Sequence, residues 1–254
     1  MPSPFVWYEL MTTDAPAATR FYSTVIGWQT ADAGMPGMSY TLLSAGATQV
    51  AGLMALPDEA RQAGAPPAWT GYVEVDDVDA CAQRLKQAGG TLCRPAEDIP
   101  GVGRFAVVAD PHGAMFCLYK DRAGAAPWAP NGGTPGTVGW HELYCNDLDS
   151  AWVFYSTLFG WTKDTAIDMG EMGTYQLFAV GGAAIGGMMK RPSQMPVAAW
   201  LYYFNVEAID AAAARATAAG GQVLNGPMEV PGGSWIVQCM DPQGAMFAMV
   251  APGR

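Results

Sequence analysis

The chain has 254 residues, half of them hydrophobic and 14% charged, with a formal net charge of −10. That balance describes a packed globular protein and not a disordered one, and it lacks the basic face that neutralising nucleic-acid phosphates requires. No apolar run is long enough for a membrane helix. Met1 leads into a strand pattern without the basic start and apolar core of a signal peptide, so a cytoplasmic protein that binds neither nucleic acid nor membrane is expected.

The first element is a strand around Trp7-Tyr8-Glu9-Leu10, followed by a helix with apolar residues at Ala18, Phe21, Tyr22 and Val25. That spacing buries one face of a helix. Asp14 stands at its N-cap position and Gly27 just past its end. Strands are predicted at 28–31, 40–44 and 48–53, with the turn Gly34-Met35-Pro36-Gly37 between the first two. Residues 55–68 form a polar, Pro-broken connection. A strand at 69–75, an amphipathic helix at 77–88 stopped by Gly89-Gly90, and strands at 104–109 and 114–119 joined by Asp110-Pro111-His112-Gly113 complete the first half.

The order then repeats. Trp140-His141-Glu142-Leu143 and Phe154-Tyr155 replay Trp7-Tyr8-Glu9-Leu10 and Phe21-Tyr22 at an offset of 133, with Asp147 and Gly160 as the matching cap residues. Trp200 to Val206 replays the strand at Trp69, and Asp241-Pro242-Gln243-Gly244 replays the Asp-Pro turn at an offset of 131. One small insertion near residue 170 is expected to explain the change of offset. A unit written twice implies two domains, 1–122 and 136–254, parted by the Ala-, Gly- and Pro-rich linker 123–135. Each is expected to be an independent α+β domain built from a pair of βαβββ modules. The five cysteines are odd in number, form no Cys-x-x-Cys pair, and face small or apolar residues in the other copy, so all five are expected to be buried thiols.

A strand, a helix ending in Phe-Tyr and followed by Gly-Trp, and a closing Asp-Pro-x-Gly strand, found twice, resemble the vicinal oxygen chelate superfamily. Its members include glyoxalase I, bleomycin-resistance proteins and extradiol dioxygenases. The resemblance implies a cup-shaped mixed sheet with flanking helices in each half, enclosing a divalent metal and a small substrate. The metal positions it implies fall on Trp7, Thr70 and Cys117 in the first half and on Trp140, Leu201 and Ala248 in the second. Indole and alkyl groups donate no lone pair to such a cation. A divalent metal belongs to the family pattern, but its ligand positions are not retained, and neither a metal site nor another cofactor is predicted.

Alternation along a strand puts Trp7 with Glu9, and Trp140 with Glu142, on one face. If the family register holds, that face lines the cup, together with Met11, Tyr72, Glu74 and Met115 in one half and Tyr144, Tyr203, Asn205 and Met246 in the other. Glu9 and Glu142 are the candidate catalytic carboxylates, since partial desolvation raises a pKa toward acid–base use. Their presence in both copies favours the alternative, that each hydrogen-bonds a neighbouring Tyr hydroxyl or Trp N–H and holds the paired strands together. His141 falls on the opposite face, His112 in a solvated turn, and Arg104 at a strand end. Two functions stay open. One is a metal-independent protein, monomer or homodimer, that binds a small planar or aromatic molecule on Trp7, Trp140, Tyr72, Tyr144, Tyr203, Glu74 and Asn205. The other is an enzyme, a glyoxalase-like lyase or an oxygenase, that uses shifted ligands or Glu acid–base catalysis. Neutral Asn205 opposite acidic Glu74 favours the second half for a neutral aromatic ligand.

Overall fold

The computed structural model describes residues 3–35, 37–124 and 133–254, so residues 125–132 of the expected linker lie outside the described residues. In the first half the elements are β1 (Phe5–Thr12), α1 (Ala15–Val25), β2 (Gln29–Asp32), β3 (Tyr40–Ala45), β4 (Thr48–Ala55), α2 (Asp58–Gln62), β5 (Ala68–Glu74), α3 (Val78–Gln87), β6 (Thr91–Ile99), β7 (Gly103–Ala109) and β8 (Met115–Asp121). The second half has β9 (Val138–Cys145), α4 (Leu148–Phe159), β10 (Thr162–Asp168), β11 (Thr174–Val180), β12 (Ala183–Lys190), β13 (Ala199–Asn205), α5 (Ile209–Ala218), β14 (Gln222–Glu229), β15 (Trp235–Met240) and β16 (Met246–Ala251). Among the described residues no helix is long and apolar enough to cross a membrane.

The helices start and stop where their chemistry dictates. Asp14 accepts from the Ala17 amide at 2.9 Å and Asp147 from the Ser150 amide at 2.8 Å, each satisfying a donor the helix leaves orphaned. Helix α4 ends at Gly160 with φ of 66°, a conformation that costs glycine nothing. The buried stripe of α1 is Ala18, Phe21, Tyr22 and Val25, as its periodicity predicts.

The strands form two mixed eight-stranded sheets, ordered β2-β3-β4-β1-β5-β8-β7-β6 and β10-β11-β12-β9-β13-β16-β15-β14. Pairing is parallel for β1 with β4, β5 with β8, β9 with β12 and β13 with β16. Each sheet comes from one half of the sequence, and the fold is α+β with the βαβββ module used four times. Three details depart from the sequence reading. Strands β6 and β14 lie at sheet ends, and the largely exposed residues of β6 show no alternation to announce it. The 55–68 connection contains the single-turn helix α2. The offset rises to 135 between Tyr40 and Tyr175, across the 3₁₀ turn Gly170–Met172, and drops to 131 by Trp69 and Trp200. A loss of four residues between β12 and β13, where the second half has no counterpart of α2, accompanies the insertion.

The compact units are drawn differently from the sheets. One unit comprises Met1–Val6, Gly71–Pro130 and His141–Trp200, and the other Trp7–Thr70, Asn131–Trp140 and Leu201–Arg254. Each therefore combines a module from either half of the sequence. In the second unit α1 packs on α5, and Phe21 and Tyr22 meet Phe247 edge-on at 5.7 and 5.3 Å. The Trp69 indole donates to the Tyr22 hydroxyl at 2.9 Å, which donates to Asp241 at 3.0 Å. Asp241 uses its other oxygen to accept the Gln243 and Ala245 amides of its own turn. Trp28 closes the same unit by donating to the Gly136 carbonyl at 2.7 Å. The first unit repeats the chain with Trp200, Tyr155 and Asp110, both bonds at 3.0 Å, and with Trp161 donating to the Ser3 carbonyl at 2.8 Å. The repeated Phe-Tyr, Gly-Trp and Asp-Pro-x-Gly motifs thus form the joints between the halves.

Four cysteines, Cys81, Cys117, Cys145 and Cys239, are buried, and none of the five is in a disulfide. Cys93 is exposed. It sits on the end strand β6, and its counterpart in the sequence repeat, Leu224 of β14, is exposed as well.

Candidate ligand-binding face

Helices cover one face of each sheet, so the side chains that point the other way are the ones available to a ligand. On β1 these are Trp7, Glu9 and Met11, with Gly52 beside Glu9 on the parallel strand β4. Glycine there is a packing requirement. A Cβ on Gly52 would sit 1.9 Å from the Tyr40 hydroxyl and 2.2 Å from its ring. Tyr40 reaches across the gap to accept a hydrogen bond from the Trp7 indole at 3.0 Å. Glu9 is buried next to this brace, though not without a partner.

The second half is built alike. Glu142 pairs with Gly187 on β12, and a Cβ on Gly187 would fall 2.2 Å from the Tyr175 ring. Glu142 and Tyr144 are buried and Trp140 is half-buried. Tyr40, Tyr175 and their glycines were not among the residues expected from sequence. A glycine inside each strand, isolated at Gly52 and paired at Gly186-Gly187, was the available signal, since it marks a close approach.

The remaining expected residues divide between the units. Tyr72 and Glu74 on β5 share a face with Cys117 and Tyr119 of β8 and Phe105 of β7, through the registers Tyr72 to Cys117, Glu74 to Tyr119 and Phe105 to Tyr119. Tyr72 is buried and Glu74 half-buried. In the other unit Tyr203 is buried and its hydroxyl accepts from Gln238 at 2.8 Å. Asn205 is also buried. Its amide donates to the Thr137 hydroxyl at 3.0 Å, and its carboxamide oxygen lies 2.3 Å from where a Cβ of Gly139 would be. Met115 and Met246 are exposed at the starts of their strands.

His141 takes the opposite face, as alternation requires. It stacks on Phe5 at 4.5 Å with an 11° interplanar angle and donates from Nδ1 to the Ile185 carbonyl at 2.7 Å. Burial drives its pKa down to about 4, with the carbonyl opposing the shift, so it is a neutral core residue. His112 is more engaged than a solvated turn residue. Its Nε2 meets the Ser150 hydroxyl at 3.0 Å at the start of α4, and its Nδ1 is buried. Arg104 forks onto Asp79 and reaches Asp98 in an exposed ion-pair cluster.

The family model for the glyoxalase/bleomycin resistance protein/dioxygenase superfamily matches residues 5–118 and again 137–249. The chain belongs to this superfamily. Among curated relatives of this superfamily member, the putative glyoxylase CFP32 of Mycobacterium tuberculosis is 35% identical over 248 residues, 97% of this chain and 94% of that protein. The anthracycline biosynthesis protein DnrV of Streptomyces peucetius is 32% identical over 262 residues, covering 98% and 93%. Among solved structures, the Mn(II)-bound glyoxalase of Novosphingobium aromaticivorans is similar with a TM-score of 0.65 at 18% identity, over 99% of this chain and 82% of that one. The 2,2',3-trihydroxybiphenyl 1,2-dioxygenase of Sphingomonas wittichii has a TM-score of 0.68 at 12% identity, over 99% and 91%.

The superfamily's metal does not fit this donor set. The Trp7 nitrogen at the first ligand position is a hydrogen-bond donor engaged with Tyr40 and has no lone pair in the ring plane to offer. Cys117 is a buried thiol, and Leu201 and Ala248 are hydrocarbon. Among the described residues no three His, Cys, Asp or Glu side chains gather where a metal ion could be held.

Proposed function

We propose that this superfamily member binds a small planar molecule against its aromatic sheet faces, without a resident metal. Trp7 and Trp140 supply stacking surface, Glu9 and Glu142 orient a hydroxyl or amine, and Tyr72, Tyr144, Tyr203, Glu74 and Asn205 complete the lining. The observation that carries this reading is the Trp7–Tyr40 brace over Gly52. Its indole N–H is already satisfied, so the ring offers its faces and not its edge. A wall held by an internal hydrogen bond loses little freedom on binding. The anthracycline biosynthesis relatives support a ligand of fused aromatic rings.

Calorimetric titration of the full chain with 1-naphthol, a planar ring with one hydroxyl, tests the reading. Trp7→Ala and Trp140→Ala should each remove a stacking surface, and affinity should fall by about 1–3 kcal/mol at the half that holds the ligand. Affinity unchanged in both variants would refute the proposal.

A second reading, a glyoxalase-like lyase, is favoured by the relatives named putative glyoxylase. It would place Glu142 or Glu9 as the proton-transferring group. Turnover of a methylglyoxal–thiol adduct that resists chelators and is lost in Glu142→Gln or Glu9→Gln would establish it.

A further inference from the structure

The two halves differ at Glu74, and the reason lies in one hydroxyl. The Asn205 amide on β13 donates back to the Thr137 carbonyl at 2.8 Å, and the Glu74 amide on β5 donates to the Pro4 carbonyl at 2.9 Å. Pro4 and Thr137 are therefore equivalent positions. In the second half the Thr137 hydroxyl receives the Asn205 side chain. In the first half proline offers nothing of the kind, and Oε1 of Glu74 is buried without a hydrogen-bond partner. A buried acceptor left unpaired is destabilising unless a donor reaches it.

The surroundings diverge in the same direction. Tyr119 of β8 lies beside Glu74 in register, with Phe105 of β7 beside Tyr119. Val250 and Ile236 hold the corresponding places in the second half. The Tyr72 ring lies edge-on to Tyr119, centroids 6.1 Å apart. Arg94 already sits over the Phe105 ring at 5.4 Å, so a cation is at home on this face. The Tyr119 hydroxyl donates to Asp121 at 3.2 Å, so it is engaged there and not with Glu74. Burial raises the Glu74 pKa, Lys120 pulls it down, and Asp121 and Asp76 push it up again.

We infer that Tyr72, Tyr119 and Glu74 form a subsite for a primary ammonium group carried by the planar ligand, with the ammonium donating to the unpaired Glu74 oxygen and resting against the tyrosine rings. The chemistry is a charge-assisted hydrogen bond reinforced by cation–π attraction. Glu74 and Tyr119 are both half-buried, so the rim of the subsite meets solvent, and the buried Tyr72 ring stands edge-on to Tyr119. This inference rests on the planar-ligand reading for the rest of the molecule bound.

Tryptamine and 3-ethylindole share one ring system and differ in the ammonium, so they separate the two claims. Titrated into the full chain at neutral pH, tryptamine should bind about tenfold tighter or more, with amide NMR shifts concentrated on β5 and β8. Glu74→Gln should bring tryptamine to the level of 3-ethylindole, so that the ratio of the two affinities falls to about one. Glu74→Asn, which copies the second half, should do the same if the glutamine variant folds poorly. Equal affinities for the two probes in the unaltered chain would overturn the ammonium subsite and leave the planar-ligand reading standing. A tryptamine preference that survives both substitutions would overturn the assignment to Glu74. Binding of neither probe would overturn the subsite and the planar-ligand reading together.

Discussion

The hydroxyl of Tyr22, on the first helix of the chain, donates to the carboxylate of Asp241, 219 residues further along, at 3.0 Å. Both groups are buried, and Trp69 completes the chain by donating to the same hydroxyl. Burial, followed by the Asp241 charge, holds the Tyr22 pKa well above its ordinary value, so the hydroxyl stays a donor. Tyr22→Phe removes the hydroxyl and orphans a buried carboxylate oxygen and a buried indole N–H together. Each orphan costs about 1–3 kcal/mol. The urea midpoint should fall accordingly, with far-UV circular dichroism unchanged before the transition. Tyr155→Phe should do the same through Asp110 and Trp200.

Because each compact unit draws one module from either half, the halves should not fold as separate monomers. Co-expressed as two polypeptides divided inside residues 125–132, they should associate one to one and recover the spectrum of the intact chain. Light scattering after size exclusion distinguishes the outcomes. A first half that elutes alone as a folded monomer would contradict this architecture.

Gly52→Ala tests the brace on β1. The new Cβ would coincide with the Tyr40 ring, so the ring must leave and the Trp7 indole loses its acceptor. Overpacking of this kind costs about 1–3 kcal/mol of stability. Planar-ligand affinity should fall along with it. Gly187→Ala should displace Tyr175 by the same clash.

His141 makes stability depend on pH. In the unfolded chain a histidine titrates near 6.5, whereas burial takes His141 down to about 4 in the folded protein. Between those values the unfolded chain binds a proton that the folded chain excludes, so stability falls as pH drops through the window. The full effect is on the order of 3 kcal/mol. His141→Phe keeps an aromatic ring against Phe5 and removes the titration. The unfolding free energy of the unaltered protein minus that of the variant should therefore fall as pH drops from about 7 to about 4. A difference that stays constant over that range would show that His141 does not carry the effect.

The sequence by itself determined the module and its faces. The spacing of Ala18, Phe21, Tyr22 and Val25 announced α1, Asp14 and Asp147 announced the caps, and alternation put Trp7 and Glu9 on one side of β1 with Tyr8 on the other. Those are local consequences of helix and strand periods, and they do not depend on what the element meets. Tertiary structure decided which copy of each motif meets which. Tyr22 could have bonded to Asp110 in its own half or to Asp241 in the other. A motif written twice satisfies both pairings equally by local pattern, and only packing of the whole chain selects the exchange. The same holds at the site. Tyr40 lies twelve residues from Gly52, and the ring fills the glycine's gap only once β3 and β4 have paired in register. Alternation already put Glu74 on the lining face, but that its oxygen lacks a partner shows only once the fold brings Pro4, which has no hydroxyl to offer, beside it.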